Sequence, residues 1–326
     1  VPPAAESARI AWPDDFGTRF TILVDTEEEF DWNAPLSREG HQTRAMAALP
    51  EGHARFAAHG VSLAYMIDYP IATDPASVHV LRAVLAHGHA EIGTQLHAWV
   101  NPPLEEMLTP ANSYAGNLPE ALEGAKLDAL TDAIAAAFGA RPVAYRAGRY
   151  GIGPNTLKLL AERGYRLDSS MRAGYAYTAD GGPDFTAIGN HAFRAGPENA
   201  IVELPLTTVF TGLARRGGAP LHRALGHIPR GRGIFARAGL LSRVALTPED
   251  MPLAEALEAI RVALGEGLRL LNFSFHSPSL APGHTPYVRD AADLAKFLGW
   301  WDAVLDLLDR RGARPASIAE VIKAAT

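Results

Sequence analysis

The chain has no cysteine in 326 residues. That absence excludes disulfides, thiolate nucleophiles and cysteine-ligated zinc, and leaves any metal to histidine, carboxylates, glutamine and water. No apolar run approaches the length of a membrane span. Charge of one sign is also missing: 30 basic against 36 acidic residues give a formal net charge of −6, which offers no whole-chain reason to expect nucleic acid. The opening Val1-Pro2-Pro3-Ala4 lacks the basic-then-apolar build of a secretory signal, so the expected location is cytoplasmic. No internal repeat and no Pro/Ser/Gly linker divides the sequence, and one catalytic domain over 1–326 is the economical reading.

What is present is a hydrophobic content of 48%, ample for a large core, arranged in short runs that stop at chemically capable residues. Phe20 to Val24 stops at Asp25, Val61 to Ile67 at Asp68, and Ala90 to Gly93 leads to Gln95 and His97. Pro142 to Tyr145 stops at Arg146, Tyr165 to Leu167 at Asp168, Ile201-Val202 leads to Glu203, and Leu268 to Phe275 stops at His276. Most runs precede a stretch of helical period: 74–87, 118–138, a helix opened by Pro154 and stopped by Gly164, and 289–311. A short strand at Arg314 to Ile318 and a terminal helix complete the pattern. Strand, polar residue, loop and helix in repetition predict an α/β fold, a (β/α) barrel with one pocket at the C-terminal ends of its strands. The connections 33–38 and 98–117 lie beside candidate site residues and read as substrate loops.

Residues 206–250 break this rhythm. Between Glu203 and Glu249 there is no acidic residue but seven arginines, at 215, 216, 223, 230, 232, 237 and 243. Interleaved with Leu221, Ile228, Ile234 and Leu240, they describe an inserted basic, apolar subregion. It would suit an anionic membrane surface or a lipid-linked or nucleotide-linked sugar; the plainer reading pairs it with acidic residues of its own chain or of a second subunit in an oligomer.

Five carboxylates fall between Asp25 and Asp31. Glu28 and Asp31 read as solvated, whereas Asp25 and Glu27 are candidates for a close pair that either raises one pKa or shares a cation. Gln95 and His97 alternate onto one side of an extended segment, imidazole being the commoner metal ligand and a Gln oxygen the weaker one. Arg146 opens Arg-Ala-Gly-Arg-Tyr-Gly-Ile-Gly, which is not a dinucleotide or Walker fingerprint; its guanidinium is suited to hold Asp25. His276, with Asp168 from another strand end, has the makings of an acid–base unit.

In the order of these motifs the chain resembles the polysaccharide deacetylase (NodB-like) superfamily, carbohydrate esterase family 4, and most of all its WalW-like branch. The resemblance runs from Asp25-Thr26-Glu27 through Glu91-Ile92-Gly93 with His97, Arg146 to Gly151 and Asp168 to Phe275-His276-Ser277. It implies a distorted (β/α) barrel and metal-dependent removal of N- or O-acetyl groups from a saccharide, in cell-surface polysaccharide metabolism. It places Asp25 as catalytic base, Arg146 as its tether, and Asp168 with His276 as the acid unit. Thr26 stands where the family has a second aspartate, and Gln95 and Trp99 stand at the places of its two histidines. A divalent metal, zinc first, would therefore fall to Glu27, Gln95 and His97. Trp32, Trp99 and Tyr150 would give apolar faces to a sugar ring, with Glu203 also in the substrate site. Two other readings compete: a glycoside hydrolase using a carboxylate pair such as Asp25 and Glu203, and a catalytically silent glycan-binding barrel.

Overall fold

The computed structural model describes residues 1–32 and 34–325; Asn33, the first residue of the 33–38 connection, and Thr326 lie outside the described residues. The apolar runs form strands β1 (Arg19–Thr26), β2 (Leu63–Ile67), β3 (Ala90–Leu96), β4 (Ala144–Ala147), β5 (Leu167–Asp168), β6 (Phe193–Ala195) and β7 (Ile201–Glu203). They continue as β8 (Thr208–Thr211), β9 (Ser242–Ala245), β10 (Leu270–His276) and β11 (Arg314–Pro315). The main sheet runs β10-β1-β2-β3-β4-β5-β7-β6, parallel throughout except for β6, with β11 parallel to β1. Strands buried on both faces read as unbroken apolar runs, and every residue of β2 is buried.

The sheet curls into a distorted (β/α) barrel. Among the described residues no ladder joins β7 to β10; the gap is spanned by single contacts instead. The Thr207 N–H donates to the Asn272 carbonyl at 3.2 Å and the Ser274 N–H to the Leu246 carbonyl at 3.2 Å. Strand parity sorts the side chains. Val24, Tyr65, Tyr145, Phe273 and Phe275 face the surrounding helices, where fully buried Trp301 packs against Phe56, Phe273 and Phe275. Leu23, Met66, Ala144, Leu167, Val202 and Leu270 face inward. Phe16 and the terminal helix, through Ile318, Val321 and Ile322, close the N-terminal end of the barrel. Glu91 belongs to that closure: its carboxylate accepts the Ile318 and Ala319 N–H groups at 2.6 and 3.0 Å.

The helices follow their sequence signals. Pro75–His87 starts under an Asp74 cap that accepts the Ser77 N–H at 2.9 Å, and Glu120–Phe138 ends at left-handed Gly139. Thr156–Glu162, Ala291–Arg310 and Ile318–Ala324 occupy the other expected places. Helix Glu120–Phe138 also orders the 98–117 connection. Its buried Lys126 donates to the carbonyls of Ala98, Asn101 and Pro103 at 2.7–2.9 Å and pairs with Glu106. Residues 206–250 form the β8–β9 hairpin, capped by two short helices at Gly218–Gly226 and Gly231–Arg237. No described helix is long and apolar enough to cross a membrane.

Candidate active site

β1 and β10 run side by side with Asp25 opposite His276, and both residues point inward at the C-terminal end of the barrel. Arg146, at the end of β4 and buried, donates to Asp25 Oδ1 at 2.7 Å and to Ser274 Oγ at 2.7 Å. Its Nε donates to the Ser169 carbonyl at 3.0 Å and its Nη2 to Ser169 Oγ at 3.1 Å. The guanidinium is thereby fixed on all sides, and it fixes the carboxylate in turn. Asp25 and His276 thus stand on adjacent strands, with His276 Nε2 3.8 Å from Asp25 Oδ2.

The partner of His276 is Glu249, not Asp168. Glu249 Oε2 lies 2.6 Å from His276 Nδ1, while Oε1 accepts the His276 N–H at 3.0 Å and the Ser279 hydroxyl at 2.6 Å. Burial works against a charge on the ring. Glu249, followed by Glu27 and Asp25, overcomes it and pushes the His276 pKa up to about 10. Asp168 faces the opposite side of the sheet. Its register partner is Tyr145, a helix-facing residue, and the inward position of its strand belongs to Ser169. Glu203 shares that outer side as the register partner of Asp168. Both carboxyls are buried, and burial followed by the Asp168 charge raises the Glu203 pKa well above its ordinary value. Asp168 Oδ1 accepts the Ser170 hydroxyl at 2.5 Å, and Glu203 Oε1 accepts the Met171 N–H at 3.3 Å. The expected Asp168–His276 unit and the Asp25–Glu203 carboxylate pair are therefore not formed, and Glu203 is absent from the mouth.

His97 follows β3 and is buried between two glutamates. Its Nδ1 lies 2.8 Å from Glu28 Oε2, and its Nε2 lies 3.4 Å from Glu27 Oε2. Burial opposes a charge here too, but Glu28 and then Glu27 raise the His97 pKa well above its ordinary value, so a cation at Nε2 would have to displace a proton. Glu28, read from sequence as solvated, is fully buried; its Oε1 accepts the Trp99 indole N–H at 3.1 Å and its N–H donates to Asp68 at 2.7 Å. Glu28, Asp68 and His97 form a compact three-residue group, but its atoms already bond to one another. A carboxylate on one imidazole nitrogen is the usual way a metal-binding histidine is oriented, leaving the other nitrogen to ligate. That other nitrogen faces Glu27. Glu27 Oε1 and Gln95 Oε1 are both buried without a hydrogen-bond partner, and Glu27 Oε1 lies 4.0 Å from His276 Nε2. An orphaned carboxylate oxygen beside an oriented imidazole is a donor set of the kind a divalent cation takes, and Gln95, in register with Arg146, brings a second orphaned oxygen to the same inward face.

The mouth opens into a cleft of about 460 Å³. Trp99 stacks on His97 at 4.3 Å, and Trp32 stands edge-on to His276 at 5.1 Å, so both tryptophans line the cleft against the reacting groups. Leu108, Thr109 and Pro110 of the 98–117 connection line its rim, as does Arg149, which is tied to Asp180 at 2.9 Å. The turn after β4 carries local strain: Arg149 and Tyr150 both adopt left-handed φ, +55° and +60°. Gly148 precedes them because a Cβ there would meet the His97 ring at 2.4 Å. Tyr150 stacks on Tyr177 at 5.4 Å, within electrostatic reach of Asp25 and Arg146.

The insertion is rooted at this same mouth. It leaves through Leu206 and Thr207, against Met171 and Asn272, and returns through Leu246 to Glu249 on His276. Among the described residues, none of its seven arginines lies in an ion pair, so the expected pairing with acidic residues of its own chain is not found.

No protein-family model and no curated protein matches the chain. Solved structures share its architecture. The GH57-type branching enzyme from the archaeon Pyrococcus horikoshii superposes with a TM-score of 0.51 at 12% identity, over 94% of this chain and 70% of that one. A candidate polysaccharide deacetylase from Mycobacterium smegmatis aligns over 98% of both chains at 20% identity and a TM-score of 0.49. The peptidoglycan deacetylase PdaC from Bacillus subtilis aligns over 96% of this chain and 93% of its own at 10% identity and a TM-score of 0.42. At such identities the likeness to the branching enzyme is one of barrel fold, and the chemistry has to be argued from the site.

Proposed function

We propose that the protein is a hydrolase of the polysaccharide deacetylase type, removing acetyl groups from a saccharide. The observation that carries the reading is Asp25, tethered by Arg146, facing His276, tethered by Glu249, beside two orphaned buried oxygens. Asp25 removes a proton from the water whose oxygen bonds to the acetyl carbon. His276, held protonated by its neighbours, gives a proton to the departing sugar nitrogen or oxygen as its bond to that carbon breaks. Acetate and a free amine or hydroxyl result. A divalent cation, zinc by preference, held by Glu27, Gln95 and His97, would polarise the acetyl carbonyl as a Lewis acid. Glu28 keeps the His97 ring in place through Nδ1, Trp32 gives the sugar ring an apolar face, and buried Trp99 backs the imidazole and excludes water from it.

The glycoside hydrolase alternative built on Asp25 and Glu203 loses its second carboxylate to the outer side of the sheet. The test of the deacetylase reading is acetate release from acetylated oligosaccharides, with each of several divalent metals added in turn. No release in any condition refutes it. Saccharide binding that Asp25→Asn leaves intact, again without release, would identify a silent glycan-binding barrel.

A further inference from the structure

Arg172, four residues beyond the end of β5, and Arg243, on β9 of the insertion, lie on one aromatic ring. Their guanidinium carbons are 3.9 and 3.6 Å from the Tyr175 ring centroid. Arg172 also sits 5.8 Å from the ring of Tyr150, in the strained turn after β4. Arg172 forms a β-bridge with Leu206, where the insertion leaves the mouth of the barrel. Among the described residues neither arginine has a carboxylate within ion-pairing distance, and Arg172 Nε is buried without a hydrogen-bond partner. Stacking on tyrosine stabilises each cation separately, yet the two repel, and Arg232 adds to the repulsion felt by Arg243. Arg243 Nη1 donates to the Gly174 carbonyl at 2.8 Å, but no carboxylate answers either charge, and a fold that holds like charges together at the root of the insertion without a counter-charge leaves a place for an anion.

We propose that Arg172 and Arg243 form an oxyanion-binding subsite for a carboxylate or phosphate carried by the saccharide. This rests on the deacetylase reading for the identity of the saccharide, but the binding itself is measured without turnover. Calorimetry with inorganic phosphate and with glucuronate should show saturable binding that Arg243→Gln weakens at least tenfold. The tighter of the two probes names the source of the anion. No saturable binding of either probe, or affinities unchanged in both Arg243→Gln and Arg172→Gln, overturns the subsite. In turnover, Arg243→Gln should raise KM for an acetylated, uronate-containing oligosaccharide and leave KM for a neutral one unchanged; equal changes overturn it as well. Anion binding without any acetate release would keep the subsite and sink the deacetylase reading.

A separate observation concerns the tip of the insertion. Arg215, Arg216, Arg223, Arg230, Arg232 and Arg237 are exposed, and Leu213, Ile228 and Ile234 beside them are 86%, 55% and 56% exposed. Self-association through this face on a two-fold axis would set the same arginines against each other. Unpaired arginines around exposed aliphatic side chains match the headgroup boundary of an acidic bilayer. We infer that the hairpin docks on an anionic lipid surface, presenting the mouth of the barrel to it. Co-sedimentation with phosphatidylglycerol-containing vesicles should be salt-sensitive, absent with pure phosphatidylcholine, and lost when Leu213, Ile228 and Ile234 are all changed to Ser. Equal binding to neutral vesicles, unchanged binding of the triple variant, or no binding overturns the inference. Dimerisation that the triple variant abolishes would give this face to a second copy and overturn it too.

Discussion

Glu249→Gln tests the acid half of the site most sharply. The carboxylate makes three contacts, at 2.6 Å to His276 Nδ1, 3.0 Å to the His276 N–H and 2.6 Å to the Ser279 hydroxyl. Glutamine keeps the size and one acceptor oxygen, so the backbone and Ser279 contacts survive. What it removes is the charge that favours the imidazolium. If the amide donates to Nδ1, the neutral ring keeps its proton on Nε2 and is a very weak acid. If the amide flips so that its oxygen accepts from Nδ1, the His276 N–H loses its acceptor and Nε2 of the neutral ring carries no proton to give. General acid catalysis is typically worth ~10²–10⁴-fold, so kcat on an N-acetyl sugar should fall by about 10²–10³. On 4-nitrophenyl acetate, whose phenolate leaves without protonation, the loss should stay below about tenfold. The assay is paired kinetics on the two substrates, with thermal melting as the control for fold. Equal losses on both substrates, or none on the sugar, would refute the assignment of His276 as acid and Glu249 as its holder.

Asp25→Asn should retain the fold while acetate release falls by about 10²-fold or more; a variant keeping a tenth of the wild-type rate would remove Asp25 as base. Glu203→Gln should leave turnover within a few-fold, because Glu203 lies on the outer side of the sheet beside Asp168, and Asp168→Ala with His276→Ala should be additive; marked coupling would contradict the outward placement of Asp168. Glu123, buried with the Thr156 hydroxyl donating to it, has its pKa pushed to about 7, chiefly by burial. A folded value above the unfolded one means the native state binds the proton more tightly, so this contribution is full below about pH 4.5 and is lost as pH rises through about 7, on the order of 3 kcal/mol at most. Melts of wild type and Glu123→Gln across that range should diverge, the variant gaining relative stability toward pH 8. Replacing residues 213–240 by a short turn that keeps the β8–β9 ladder should leave Glu249 on His276 and acetate release nearly unchanged, while vesicle binding disappears.

The barrel was legible because β1, β2 and β10 are mainly apolar stretches that stop at a polar residue, Asp25, Asp68 and His276. Asp25, Arg146 and His276 were legible for the same reason: each ends a run whose inward phase is set by several residues. Asp168 shows where that reading stops. Its strand is two residues long, and nothing local decides which of two neighbouring polar residues points inward. The register of Leu167 with Ala144 and of Asp168 with Tyr145 decides it, and that register belongs to a strand some twenty residues away in sequence. Ser169 is the residue that reaches Arg146. Glu28 was misjudged for a related cause: a carboxylate cluster after a strand reads as solvated, and only the packing of Trp99 and His97 over it removes the water. Glu249 was invisible as a site residue because it lies in a loop, follows no strand run, and meets His276 only after the insertion has returned to the barrel. Its one signal was compositional, since it ends a stretch of chain without a single acidic side chain. That position is informative in retrospect: a stretch free of carboxylates cannot neutralise the arginines it carries, and the first acid after it is already committed to an imidazole. The insertion therefore reaches the mouth of the barrel with its positive charge unanswered, and an anionic group brought by a ligand or a surface is what would balance it.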